Sequence, residues 1–250
     1  MSGKKYSEEH KILFYETDCT RRVTVGMLVN IMMLASQDQS NELGVTVKKV
    51  KGLGFGWVIT QHLIDIKRMP RIYEKVNVIT EAASYNRYFC YRDFWIKSEN
   101  GEELAKMHSV FVLMDQNKRK IARILPELIE PYSSDYTNKI ERLPEPEKLI
   151  SDEQVKTKKY QVRFMDIDSN QHVNNVHYFD WMMDALPSEF LLEHSLKKMN
   201  IKYKQEVHYG DTVESRAYID LNDQEIKTVH QIKTEHTLCC TASCEWIPQK

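Results

Sequence analysis

The chain of 250 residues repeats itself once, and that repeat limits its architecture more than any other feature. Met32-Met33 and Ala35 fall on Met182-Met183 and Ala185 at one offset, and Val76-Asn77-Val78 on Thr212-Val213-Glu214 at a slightly shorter one. A repeat this long is a duplicated domain rather than a solenoid unit. Four of the seven prolines, Pro126, Pro131, Pro144 and Pro146, lie between the copies in a stretch also rich in Ser, Asp, Asn and Glu. That is linker chemistry, and it cuts the chain almost in half. The expected division is an N-terminal domain over 1–130, a linker over 131–155 and a C-terminal domain over 156–250.

Each half has the same order of elements. The first opens with a short strand around Ile12–Tyr15, continues with an apolar-periodic helix from Val25 to about Leu43, and ends in a run of period-2 strands. Those strands are Trp57–Asp65, Val76–Ala82, Phe89–Lys97 and Ala105–Met114. The second opens with Tyr160-Gln161-Val162-Arg163-Phe164, whose alternation puts Tyr160, Val162 and Phe164 on one face. A helix from about Asn174 to Leu186 follows and stops at Pro187. A twisted antiparallel sheet wrapped around one long helix buries the apolar face of that helix, so the expected class is α+β with one such unit per half.

Hydrophobic residues at 42% and charged residues at 28% are an ordinary globular balance, which argues against a disordered or membrane class. The net charge of −1 contains no block of like charges, so nucleic acid is not an expected partner. Basic clusters at Arg21-Arg22, at Lys48-Lys49 with Lys51, and at Lys197-Lys198 with Lys202 and Lys204 are local. The polar N-terminus has no apolar region of the signal-peptide kind, and no apolar run reaches spanning length, so a cytoplasmic protein is expected. Five cysteines, an odd number without a secretory signal, argue against a disulfide framework. Cys239-Cys240 and Cys244 lack a second paired cluster that would complete four ligands, so neither metal nor cofactor is expected.

The chemistry is concentrated in Asp166-Ile167-Asp168-Ser169-Asn170-Gln171-His172-Val173-Asn174-Asn175-Val176-His177-Tyr178. This stretch lies between a strand and a helix, where backbone N–H groups near Val173, Asn174 and Asn175 would be unpaired donors at the positive end of a helix dipole, able to hold an oxyanion. Asp168 and His172 are titratable, and the Asn170 amide can fix a water or a carbonyl. The plainer alternatives are that Asp168 and Asn174 cap a helix and that His172 is an ordinary surface or core histidine.

The segment closely resembles the D-x-D-x-N-Q-H-V-N-N-x-x-Y signature of acyl-acyl carrier protein (acyl-ACP) thioesterases, and more loosely that of hotdog acyl-CoA thioesterases. The resemblance extends over nearly the whole chain and implies two tandem hotdog domains. It implies hydrolysis of acyl-ACP to free fatty acid and ACP, ending acyl chain elongation, with an acyl thioester as substrate and an acidic carrier protein as partner. Plant members carry a catalytic acidic residue followed by Cys where this chain has Glu206-Val207. Glu206 falls on the acidic position, and Val207 removes a Cys-His mechanism there, leaving carboxylate-driven attack of water.

The first half lacks this machinery: Asp18-Cys19-Thr20 stands where the second half has Asp166-Ile167-Asp168, and Arg22-Val23-Thr24-Val25 where it has His172-Val173-Asn174-Asn175. One active site per chain is expected. By resemblance the first hotdog would shape the acyl pocket, with Met27, Ile31, Met32, Phe55 and Trp57 as candidate lining; a Met-rich helix face is otherwise plain core. The rival readings are an acyl-CoA thioesterase using the same Asp168 and His172, and a non-catalytic acyl-thioester binding protein on the same scaffold. Chain-length preference is not legible, and a homodimer is left open because two fused hotdogs already form the pair that single-hotdog enzymes reach by association.

Overall fold

The computed structural model describes residues 3–149, 154–222 and 225–249, so residues 150–153 of the expected linker lie outside the described residues. The first half runs β1 (Lys5–Lys11), α1 (Val25–Glu42), α2 (Val47–Gly52), β2 (Phe55–Ile66), β3 (Lys75–Tyr85), β4 (Phe89–Ser98), β5 (Glu103–Asp115) and β6 (Lys120–Ala122). A short α3 (Pro126–Ile129) and β7 (Asp135–Tyr136) follow. The second half runs β8 (Lys156–Gln161), α4 (Val176–Asp184), α5 (Ser188–Glu193), β9 (His194–Tyr203), β10 (Thr212–Asn222), β11 (Glu225–Lys233) and β12 (Leu238–Pro248).

All the long strands join one antiparallel sheet in the order β1-β3-β4-β5-β2-β9-β12-β11-β10-β8. The two halves meet edge to edge where β2 pairs with β9, Leu63 opposite Asn200 and Ile64 opposite Met199. Neither central strand is therefore an open edge, and the outermost strands carry charge, as in Lys156, Lys158 and Lys159 of β8, which disfavours pairing with other chains. The helices lie on one face. A single core is assembled from both halves, joining Leu28, Met32 and Ala35 of α1 to Phe179 and Met182 of α4 and to Ile64 and Ile201 of the seam. Gly26 permits this. A Cβ there would stand 2.9 Å from Val176 Cγ2 and 3.2 Å from Asp180 Oδ1, so only glycine lets the helix N-termini approach so closely.

The opening strands differ from expectation. The first-half strand is Lys5–Lys11, and Phe14–Glu16 is a 3-10 turn; in the second half the strand is Lys156–Gln161 and Phe164–Asp166 is the turn. Phe164 is consequently 78% exposed rather than sharing a buried face with Val162. The cause is local: Asp166 Oδ2 accepts the Arg163 N–H at 2.8 Å and Glu16 Oε2 the Leu13 N–H at 2.7 Å, each carboxylate bending the chain off its strand. The second helix is also shorter than the stretch from Asn174 to Leu186, ending at Asp184 before Pro187 starts α5.

The stretch expected as a linker is a strap. Pro144 O accepts hydrogen bonds from Gln61 Nε2 at 2.8 Å and Asn200 Nδ2 at 2.9 Å, one residue from each half, and Glu145 pairs with Lys202. Alternation along β2 places Gln61 on the opposite side from His62 and the core residue Ile64, so the strap crosses the seam on the face away from the helices.

Candidate active site

Both halves fold the segment between first strand and helix by the same hydrogen bonds. In the second, Asp168 N–H donates to His172 O at 2.9 Å, Gln171 N–H to Asp168 O at 3.1 Å, and Asn170 N–H to Asp168 Oδ1 at 2.7 Å. In the first, Asp18 N–H donates to Arg22 O at 3.0 Å, Arg21 N–H to Asp18 O at 3.0 Å, and Thr20 N–H to Asp18 Oδ1 at 2.8 Å. Gln171 and Arg21 both have left-handed backbone, with φ of 69° and 65°. The register corrects the sequence comparison. Asp18 is the counterpart of Asp168, and Glu16, not Asp18, that of Asp166, because Thr24 N–H donates to Glu16 O as Asn174 N–H does to Asp166 O.

The connection from β9 to β10 supplies the other wall. Val173 N–H donates to Val207 O at 2.9 Å, which brings Glu206 beside the loop. His172 Nε2 lies 3.3 Å from Glu206 Oε1, and the His172 ring meets His208 edge to face at 5.8 Å between centroids. Both side chains of the pair are part-exposed, 22% for His172 and 27% for Glu206, so solvent reaches them. Val207 is fully buried, and its carbonyl holds the loop.

The first half also reaches into the site, through residues that sequence reading did not single out. Arg119, in the turn between β5 and β6, pairs with Glu206 Oε2, and Lys51 of α2 donates to Ser169 O at 3.0 Å. No local signal could have found them, since Arg119 and Glu206 are separated by 87 positions and meet only because the halves share a sheet. Glu206 thus has a cation on one side and an imidazole on the other, above a cleft of about 520 Å³ that also includes Asp211, His236 and Cys239.

Other expected residues are placed differently. Asp168 touches neither His172 nor Glu206 through its side chain; it accepts the Asn170 N–H at 2.7 Å, with Asn170 Nδ2 at 3.5 Å, a turn-forming role that Asp18 repeats in the first half. Of the three expected oxyanion donors, Val173 and Asn174 have their N–H groups committed to Val207 O and Asp166 O, because the loop must pair with its neighbours before it enters α4. Asn175 N–H alone among them has no partner within the described residues. Asn174 does act as a cap, its Oδ1 accepting the Val176 N–H at 3.2 Å.

The candidate acyl lining is divided. Ile31 and Met32 are buried in the shared core with Met27 against them, whereas Phe55 and Trp57 pack on a second cluster beneath α2 and α3, around Val45, Leu113 and Leu128. Phe111 touches both clusters. Among the described residues no group of His, Cys, Asp and Glu is arranged to hold a metal, and no helix is long and apolar enough to cross a membrane.

Comparison with known proteins places this geometry in a family. The description "Acyl-ACP thioesterase N-terminal domain" matches residues 3–132 and "Acyl-ACP thioesterase C-terminal domain" matches residues 149–248. A crystal structure from Lactobacillus plantarum with the provisional name oleoyl thioesterase is 44% identical, covers 99% of this chain and 98% of its own, and superposes with a TM-score of 0.96. The 12:0-ACP thioesterase from Umbellularia californica is 20% identical, with 98% of each chain covered and a TM-score of 0.87, a likeness of fold. The chloroplastic oleoyl-acyl carrier protein thioesterase of Coriandrum sativum is 27% identical over 85% of this chain; the chain spans 62% of that relative's length. With both halves matched in order, and with the hotdog arrangement of sheet around helix in each, the chain belongs to the acyl-ACP thioesterase family.

Proposed function

We propose that this protein hydrolyses acyl-ACP thioesters to free fatty acid and ACP, ending acyl chain elongation, with the reaction carried by the C-terminal half over 156–250 and the first half over 1–130 shaping the acyl pocket. The observation that carries this reading is the contact between His172 of the 166–178 loop and Glu206 of the β9–β10 connection, 3.3 Å apart and open to solvent. Thioester hydrolysis needs a nucleophilic water and a place for the charge of the tetrahedral intermediate, while the thiolate leaves with little help. Glu206 takes the proton of the attacking water, and His172 orients the carboxylate and the water. The Asn170 amide and the Asn175 N–H at the start of α4 face the developing oxyanion, and Asp168 holds the turn that presents Asn170. Collapse breaks the C–S bond, and the thiolate receives the proton.

The carrier protein is acidic, and Lys51 and Arg119 at the edge of the site provide the matching charge. The deciding experiment is a hydrolysis assay that offers matched acyl-ACP and acyl-CoA across several chain lengths. Higher kcat/KM on acyl-ACP is expected, and a strong decrease in Glu206→Gln. Preference for acyl-CoA would transfer the site to the nucleotide-bearing substrate, and tight acyl-thioester binding without turnover would make the protein a binding module.

A further inference from the structure

The hydrogen-bond register that aligns the two motif loops also aligns their opposite walls. Val23 N–H donates to Pro70 O as Val173 N–H donates to Val207 O, and Ile12 N–H to Glu74 O as Val162 N–H to Asp211 O. Pro70 therefore stands for Val207, and one step to either side Met69 stands for Glu206 and Arg71 for His208. From the loop, Thr20 stands for Asn170, Arg21 for Gln171 and Arg22 for His172. A cleft of about 320 Å³ opens at this position, lined by Thr20, Arg21, Arg22, Arg71 and Ile72. The first half keeps the backbone frame of this loop and its opposite wall and carries other groups on it: guanidiniums stand at the positions of His172 and His208, and a thioether at that of Glu206.

The electrostatics of the cleft differ from those of its counterpart. Among the described residues none of the three arginines has a carboxylate partner. Arg22 Nη1 donates to Ser195 Oγ of β9 at 3.1 Å, which fixes its head at the junction of the halves. Of the acidic groups beside the cleft, Glu74 is held by Arg68 through contacts of 2.7 and 2.9 Å and by the Arg71 backbone N–H, with the Arg71 charge also acting on its carboxylate, and Asp18 Oδ1 takes both the N–H and the hydroxyl of Thr20. Three guanidiniums around a concavity, none ion-paired with a carboxylate among the described residues, favour an anion that presents several oxygens to their forked N–H groups, and a phosphate does this better than a single carboxylate. The volume is at the lower end for small-molecule sites, larger than inorganic phosphate alone needs.

We propose that the Arg21–Arg22–Arg71 cleft of the first half is a phosphate-ester binding site, built on the loop-and-wall frame that carries Gln171, His172 and His208 in the second half. The test uses the full chain and no turnover, so its result is independent of the hydrolase reading. Calorimetric titration at constant ionic strength with glycerol 3-phosphate, and with glycerol as the uncharged control, is run on wild type, on Arg21→Gln, on Arg71→Gln and on Lys118→Gln, an exposed cation outside the cleft. Saturable binding to the phosphate ester alone is expected, weakened by roughly tenfold in each cleft variant and unchanged in Lys118→Gln. Arg21 and Arg71 are exposed, so circular dichroism should match wild type in both. Nuclear magnetic resonance of the arginine Nε–H groups provides a second readout, with shifts confined to Arg21, Arg22 and Arg71. No saturable binding at millimolar ligand, or binding indifferent to the cleft variants, would each overturn the proposal.

Discussion

Met69 occupies in the first half the position that Glu206 holds in the second, each one residue before a carbonyl that pins its motif loop, Pro70 O for Val23 N–H and Val207 O for Val173 N–H. Both halves hold their loop against the opposite wall by the same backbone bonds, and the side chains at these two positions set what each can do with a proton. A thioether cannot act as a base. Glu206→Gln, which keeps shape and removes the base, is expected to lower kcat by roughly 10²–10⁴-fold. Met69→Leu should leave kcat unchanged. Steady-state kinetics of the two variants checks this, and a Glu206→Gln enzyme that retains wild-type kcat would sink the assignment.

Asp168 gives a different expectation because its carboxylate forms a turn. Asp168→Asn retains an oxygen that can accept the Asn170 N–H, whereas Asp168→Ala removes the acceptor. Loss of kcat should therefore be greater for Asp168→Ala than for Asp168→Asn, and Asp168→Asn should lose less than Glu206→Gln. If Asp168→Asn and Glu206→Gln fall equally, the charge of Asp168 takes part in the chemistry and the turn is secondary.

These assignments mark how far sequence alone reaches. The helix from Val25 and the strands after it were legible because apolar periodicity is strong there, and the motif from Asp166 to Tyr178 because its polar residues are unusual in number and order. The opening strands were displaced by several positions, since Lys5–Lys11 is a polar edge strand with no continuous apolar face, and Ile12-Leu13-Phe14-Tyr15 looked more strand-like. The commitment of the Val173 and Asn174 N–H groups depends on a carbonyl 34 residues away in one case and 8 residues away in the other, neither encoded in spacing. Arg119 and Lys51 enter the site from the other half of the chain, so a linear pattern could not assign them. The pairing of Glu16 with Asp166 likewise needed the hydrogen-bond register.

Cysteine chemistry is expected to be silent. Burial pushes the Cys90 and Cys244 thiols up to about 12 and raises those of Cys239 and Cys240, so all four stay protonated and enclosed at neutral pH. Cys19 alone is exposed, in the first-half loop at the counterpart of Ser169. Iodoacetamide at neutral pH should add one equivalent to the native protein, absent in Cys19→Ser, and leave hydrolysis intact. Mass spectrometry with a parallel activity assay decides it; stoichiometric labelling of another cysteine with loss of turnover in a folded protein would restore a thiol mechanism.

Part of the acid sensitivity of stability should come from two buried histidines. His62 Nδ1 lies 2.7 Å from Ser109 Oγ and His230 Nε2 lies 2.7 Å from Thr228 Oγ1, while His62 Nε2 and His230 Nδ1 have no partner among the described residues. Protonation would place a second N–H where nothing accepts it, inside the core, and burial accordingly lowers both imidazoles from 6.5 to about 3. Between those values the unfolded chain binds the protons that the folded chain refuses, so stability falls as pH drops from about 6.5 toward 3 and is indifferent to these groups above that range. Each histidine contributes a slope of about 1.4 kcal/mol per pH unit within the window. Urea denaturation of wild type, His62→Gln and His230→Gln at several pH values should give variants less stable at neutral pH but with a shallower decline, each by about one proton. Comparison of slopes removes the background of carboxylate titration common to all three proteins. Identical slopes in wild type and both variants would show that the imidazoles already carry their second proton in the folded state.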